Sequence, residues 1–175
     1  MSRAKVSARL VEEADLPMLL QWRNHSRIRD FMFSQDPINS QEHYSWFYNS
    51  KNDPLVTLLV LEEGKQPFGF AQLTFQQPRE VASWGFYVSP DARAGSGFKL
   101  GRVVLRHAFF ELCAHKVFGE VLESNEASIK LHKKLGFVFE GELRQHRLVA
   151  GAFRSVKCFG LLSTEYSELS QEELE

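Results

Sequence analysis

The apolar positions of the chain change period as they run from the middle of the sequence towards its end. Residues 55–61, Leu-Val-Thr-Leu-Leu-Val-Leu, are almost continuously apolar, the pattern of a strand covered on both faces. Residues 62–65 turn the chain back, and residues 68–75 read as its antiparallel return. After the turn formers at 76–80, residues 81–88 supply a third strand, with Trp84, Phe86 and Val88 on one face and Ser83, Gly85 and Tyr87 on the other. Gly85 leaves a gap in mid-strand, which suits either tight packing against a helix or a ligand lying along the strand.

Around this meander the spacing becomes helical. A first strand is expected over 8–11, then a helix over 16–24 with Asp15 as its cap and Pro17 in the first turn. Between Trp22 and Asn49 the pattern gives two short helices and a loop, with Asn39 or Ser40 capping the second. Leu100, Val103, Val104, Ala108 and Leu112 fall on one face of a helix running to 114–116. A strand at 117–123 follows. Asn125 opens a further helix over 126–134, which Gly136 ends. Residues 137–148 and 153–162 make a hairpin, and the acidic tail at 163–175 is expected to be peripheral and frayed. This order predicts one α/β domain over residues 1–175, antiparallel strands first and then a helical crossover to a parallel neighbour.

Composition narrows the function classes. With 43% hydrophobic and 13% aromatic residues in 175, a packed core is expected rather than disorder. A formal net charge of -1 gives no general reason to expect nucleic acid or an acidic membrane as partner, so any bound anion must be held locally. The two cysteines, Cys113 and Cys158, lack metal or redox spacing and read as buried free thiols. No run resembles a signal peptide or a bilayer span, which points to the cytoplasm.

The chemistry concentrates between Val81 and Phe137. A strand, a loop carrying Gly95 and Gly97, and a helix start together form an anion site, because loop amides and the positive helix end point the same way. As a bare pattern Gly-x-Gly before a helix is weak, since a plain strand-to-helix turn has the same form. Trp22, Phe31, Met32 and Phe33 cluster with Arg23, Asn24, His25, Arg27 and Arg29. Composition alone favours core for the aromatics, although apolar walls with a few polar groups also describe a binding pocket.

The order of elements, with Asn125-Glu126-Ala127-Ser128-Ile129-Lys130-Leu131-His132-Lys133-Lys134-Leu135-Gly136-Phe137 after the crossover, resembles the GNAT acetyltransferases over nearly the whole chain. That resemblance implies a GNAT fold of the α/β (α+β) class. Its mixed, mostly antiparallel sheet of about seven strands is splayed between strands 4 and 5, with helices on both faces. It also implies acetyl-CoA as co-substrate and no metal. Trp22-Arg23-Asn24, Phe31-Met32-Phe33, Gly85-Phe86-Tyr87-Val88-Ser89-Pro90, His115-Lys116 and Gly119-Glu120-Val121-Leu122 resemble more closely the N-acetyltransferases of the pseudaminic acid pathway. Those enzymes acetylate the 4-amino group of UDP-4-amino-4,6-dideoxy-N-acetyl-beta-L-altrosamine for flagellin glycosylation.

Carried onto this chain, the resemblance puts acetyl-CoA contacts at Phe86 and Val88. It puts the pyrophosphate at Arg93, Gly95, Ser96, Gly97 and Phe98, and the pantetheine or nucleotide end at Asn125 and Ser128. Ala92 stands where the family usually has Gln or Arg, which shifts phosphate binding towards backbone donors. His132 stands where many members have the tyrosine that protonates the leaving thiolate, and histidine can do that work. Of the two carboxylates on opposite faces of the 117–123 strand, Glu120 is the candidate base, because a carboxylate inside an apolar strand is costly unless used or paired. Glu123 is expected to be solvated.

The acceptor wall is expected from Trp22, Arg23, Met32, Phe33, His43 and Trp46, a stacking surface with cations for a diphosphate. A UDP-amino sugar is therefore the expected partner, and a homodimer is left open. Two alternatives stand beside it: a relative acting on a protein N-terminus or a polyamine, and a non-catalytic acetyl-CoA sensor. A polyamine site would want acidic residues, which are few between Trp22 and Trp46.

Overall fold

A computed structural model describes residues 5–76 and 80–166. One seven-stranded sheet runs through it in the order β1-β2-β3-β4-β5-β7-β6. Strands β1 (Val6–Leu10), β2 (Val56–Glu63), β3 (Gln66–Phe75) and β4 (Val81–Val88) form the antiparallel meander. The crossover helix α4 (Ser96–Arg106) then delivers β5 (Lys116–Leu122) parallel to β4, as strand–helix–strand connectivity requires. After α5 (Glu126–Lys134), the hairpin of β6 (Val138–Val149) and β7 (Ala152–Leu162) closes the sheet by pairing β7 antiparallel to β5.

The apolar run of β2 has the expected reason. Its Leu59 and Leu61 enter the larger core with Leu73, Trp84, Leu100, Val104, Val117, Leu135 and Phe137. Its Leu58 and Val60 face the other way, into a second core with Leu16, Leu19, Phe47 and Phe70. The helices α1 (Leu16–Asn24) and α3 (Ser40–Asn52) cover that second face, and α4 and α5 cover the first. Between α1 and α3 lie the single turn α2 (Ser26–Arg29) and an irregular loop.

Several local expectations need correction. Asp15 does not cap α1 with its side chain; its carboxylate accepts from the Glu12 amide and from Arg9 at 2.7 and 2.8 Å, which holds it well below the usual carboxylate range. Asn39 does cap α3, reciprocally with Glu42. The α4 pattern ends early, in a π-helical turn His107–Glu111, and Cys113 then takes a positive φ of 55°. Cys113 is exposed and Cys158 half-buried, so neither is the buried thiol expected. The hairpin turns on Ala150 and Gly151, both at positive φ. Of the acidic tail, residues 163–166 form a helical turn whose Tyr166 stacks on Phe109, and residues 167–175 lie outside the described residues.

Candidate active site

Pairing between β4 and β5 stops early. Only Val81, Ala82 and Ser83 meet Lys116, Val117 and Phe118, and beyond them the two parallel strands part. Glycines shape the opening from both sides. A Cβ on Gly119 would collide with His132 and stand 2.8 Å from the Trp84 indole nitrogen, so the residue must be small for those rings to sit against β5. At Gly85 a Cβ would meet nothing within 4 Å. The gap in β4 is therefore open space, not a tight contact with a helix.

Two cavities, of about 600 and 560 Å³, flank the parting. They share Phe31, Met32, Phe86, Tyr87, Asn125 and Ser128, so they meet at β4 and the N-terminus of α5. The smaller runs to the glycine loop, where Gly95 adopts φ 86° to start α4. Helix starts leave amide N–H groups without intrahelical partners and suit phosphate.

Of the expected acetyl-CoA residues, Phe86, Val88, Gly95, Gly97, Phe98, Asn125 and Ser128 line the smaller cavity. Arg93 is exposed and Ser96 buried, and both stand outside that lining. Asn125 caps α5 by accepting from the Ser128 amide at 3.1 Å. Lys134, unforeseen, lies over the Phe98 ring at 4.4 Å.

The larger cavity collects Arg23, Met32, Phe33, His43 and Trp46 from the expected acceptor wall. Trp22 is the exception: it packs half-buried against the second core and stands outside that lining. Arg23 donates from Nη2 to the Ser34 carbonyl at 2.8 Å, while its Nη1 is buried without a partner. Burial, and then the charge of Arg29, push its guanidinium below the ordinary range. His43, 4% exposed, stacks on Trp46 at 5.1 Å and bonds the Leu16 backbone, which leaves its Nε2 buried and unpartnered. Burial lowers its pKa, and Arg23 lowers it further. Two buried polar atoms that lack partners, one a donor and one a ring nitrogen, thus belong to side chains of this wall.

Glu120 lines the larger cavity, on the face chosen for it, and its neighbour Glu123 is exposed. The carboxylate is also paired, since Arg147 of β6 reaches its Oε2 at 3.4 Å. The carboxylate thus has the partner that its place in an apolar strand calls for. Arg147 went unnoticed in the sequence because β7 separates β6 from β5, and no spacing reveals that approach.

His132 lines the larger cavity but is enclosed within it. It is 2% exposed and both ring nitrogens are engaged. Nε2 lies 3.1 Å from the Trp84 indole nitrogen and Nδ1 lies 2.8 Å from the Ser128 carbonyl. An indole N–H can only donate and a carbonyl can only accept, so the ring must carry its proton on Nδ1 and a lone pair on Nε2. Burial lowers its pKa, in agreement with a neutral ring. In this arrangement its one N–H is directed at Ser128, and no proton is available on Nε2 for a thiolate. Phe159 at 5.2 Å and Phe137 at 4.9 Å complete the enclosure.

Comparison with known proteins places this geometry in a family. Residues 6–138 match the model of the acetyltransferase (GNAT) domain. An uncharacterized N-acetyltransferase derived from prophage SPbeta of Bacillus subtilis is 38% identical over 133 residues, 74% of this chain and 75% of its own. A spermidine N(1)-acetyltransferase of Vibrio cholerae is 24% identical over 173 residues, 96% of this chain and 99% of its own. The crystal structure of spermidine N-acetyltransferase from Vibrio cholerae with CoA and spermine superposes with a TM-score of 0.83 at 22% identity, covering 93% of this chain and 98% of that one. None of these is named for the nucleotide-sugar specificity that the closer resemblance implies. Among the described residues no helix is long and apolar enough to cross a membrane, and no group of three or more His, Cys, Asp or Glu could hold a metal. The chain belongs to the GNAT acetyltransferases, and it is an N-acetyltransferase whose co-substrate is acetyl-CoA.

Proposed function

We propose that the chain acetylates the primary amine of a nucleotide-linked amino sugar, of the kind UDP-4-amino-4,6-dideoxy-N-acetyl-beta-L-altrosamine represents, by direct attack of the amine on the thioester. One observation carries this reading: the charge of the larger cavity. Among the described residues that line it, the half-buried cation Arg23 has a buried donor without a partner, and the one carboxylate, Glu120, has Arg147 within 3.4 Å. Such a wall favours an acceptor that brings oxygen and anionic groups, with Phe33 and Trp46 as flat surfaces for a ring.

The residues divide the work. Gly95, Gly97 and the start of α4 hold the pyrophosphate of acetyl-CoA, and the parting of β4 from β5 receives its pantetheine arm beside Phe86 and Val88. A backbone N–H near Val88 stabilises the carbonyl oxygen of the thioester as charge develops on it. Arg23 orients the acceptor. Glu120 takes the amine proton, directly or through water. His132 fixes Trp84 and the start of α5 at the junction of the two cavities.

A second reading has its own support. The named relatives include spermidine acetyltransferases of Vibrio cholerae and Escherichia coli, and these names favour a polyamine over a UDP-sugar. Release of free CoA from acetyl-CoA separates the two, with UDP-4-amino sugars, N-terminal peptides and spermidine as parallel acceptors. Turnover with the amino sugars is expected. Turnover with spermidine alone would replace the sugar reading by the polyamine reading, and acetyl-CoA binding with no turnover on any acceptor would favour a sensor.

A further inference from the structure

Arg147 and Glu120 are far apart in the chain and two strands apart in the sheet, roughly 10 Å between strand axes. A change of register between Leu143 and Arg147, with Gln145 at φ 49°, interrupts β6 just before Arg147. Bulges of this kind bend a strand and re-aim the side chains beyond them. Here the guanidinium crosses β7 to Glu120 and centres 5.0 Å from the ring of Phe33, which belongs to the loop after α2. One cation thus joins β6, β5 and the acceptor wall.

We propose that Arg147 determines acceptor specificity by occupying Glu120, so that the cavity offers no carboxylate to a polycation. The inference rests on the amino-sugar reading for its direction, and it explains how a fold shared with spermidine acetyltransferases presents a wall unsuited to spermidine. Arg147 does this without touching the reacting atoms. It offsets a charge that would otherwise attract an ammonium, and Arg23, half-buried on the same wall, repels one.

The test compares kcat/KM for spermidine and for a UDP-4-amino sugar in the unaltered chain, R147K, R147Q, E120Q and R147Q/E120Q. Acetyl-CoA binding serves as the check on folding. R147Q is expected to raise kcat/KM for spermidine about tenfold by releasing Glu120, a change in one charge pair at an interface with water. R147K, which keeps the charge, should preserve the acceptor ratio, and in the E120Q background, where loss of the base lowers turnover on both acceptors alike, R147Q should leave the spermidine to amino-sugar ratio unchanged. An R147Q enzyme that binds acetyl-CoA but gains nothing on spermidine overturns the proposal, as does a shift of the acceptor ratio towards spermidine that R147Q still produces in the E120Q background. Calorimetric titration of the unaltered chain with spermine provides a measurement that needs no variant: no binding is expected up to about 1 mM, where the free energy is only ~4 kcal/mol, and micromolar binding overturns the proposal. Amino-sugar turnover reports separately on the function. Its absence alongside an R147Q gain on spermidine would sink the sugar reading and leave the role of Arg147 standing.

Discussion

Replacing His132 by phenylalanine separates a positioning role from an acid role for this ring. The new ring keeps most of the packing against Phe137 and Phe159 and removes both nitrogens. Trp84, 6% exposed, then keeps an indole N–H with no acceptor. An orphaned buried donor costs about 1–3 kcal/mol. In a chain of this size each kcal/mol moves Tm by roughly 2–4 °C, so thermal unfolding should fall by about 2–12 °C, centred near 6 °C. W84F alone leaves only the Nε2 lone pair unmatched. W84F/H132F removes donor and acceptor together and should be less destabilised than the sum of the two single changes, because apolar replacement of both partners is nearly neutral. Differential scanning calorimetry gives the stabilities, and the pH profile of kcat gives the catalytic side. If His132 only positions Trp84 and α5, the alkaline limb of the profile is the same with and without it. An H132F protein with unchanged Tm, lowered kcat and no alkaline limb would refute the hydrogen-bond reasoning and restore His132 as the acid.

Other consequences are as direct. His43 and His132 both have pKa values depressed by burial, so the unfolded chain binds protons that the folded chain does not. Stability should therefore be full above the ordinary imidazole value of about 6.5 and decline as pH falls below it, and a Tm that rises on acidification would contradict the buried neutral rings. Gly119→Ala should cost about 1–3 kcal/mol, read by urea unfolding, because the new methyl meets His132 and Trp84. Gly85→Ala meets nothing, so its midpoint should hold or rise while the KM of a substrate rises, because the methyl enters the larger cavity. Asn125→Ala should lose the α5 cap at about 1 kcal/mol and raise the KM for acetyl-CoA in steady-state assays.

The parts of the fold that could be read from the chain are those fixed by short-range chemistry. The bounds of α1, β4 and α5 follow from Pro17, from alternation around Trp84 and from Asn125 and Gly136, each a local signal. The early end of α4 was not readable, because Ala108 and Leu112 continue the helical spacing through the π turn. Asp15 misled for a different reason: an aspartate before Pro17 looks like a cap whether or not Arg9, across a turn, has already taken its carboxylate. Trp22 stands outside the cavity lining while its neighbour Arg23 is in it, and helical spacing does not reveal which side of α1 faces a cavity.

Within the site, residue type was a better guide to location than to role. Glu120 stands out because a carboxylate is costly inside an apolar strand, and His132 because it stands where the family resemblance implies a tyrosine; both line the larger cavity. What each does depends on a partner brought from elsewhere in the sheet, Arg147 for the carboxylate and Trp84 for the imidazole. The Trp84 partner converts the strongest acid candidate into a fixed acceptor, since a second proton on the ring would set two N–H groups against each other. A second candidate for protonating the thiolate is then the Ser128 hydroxyl, which belongs to a residue lining both cavities and lies 3.4 Å from Nδ1 of His132. Ser128→Ala should then lower kcat about tenfold to a hundredfold, within the range that positioned acid–base groups contribute, while H132F leaves the pH profile intact. Full activity in S128A would send the search for the acid to water or to the amine itself.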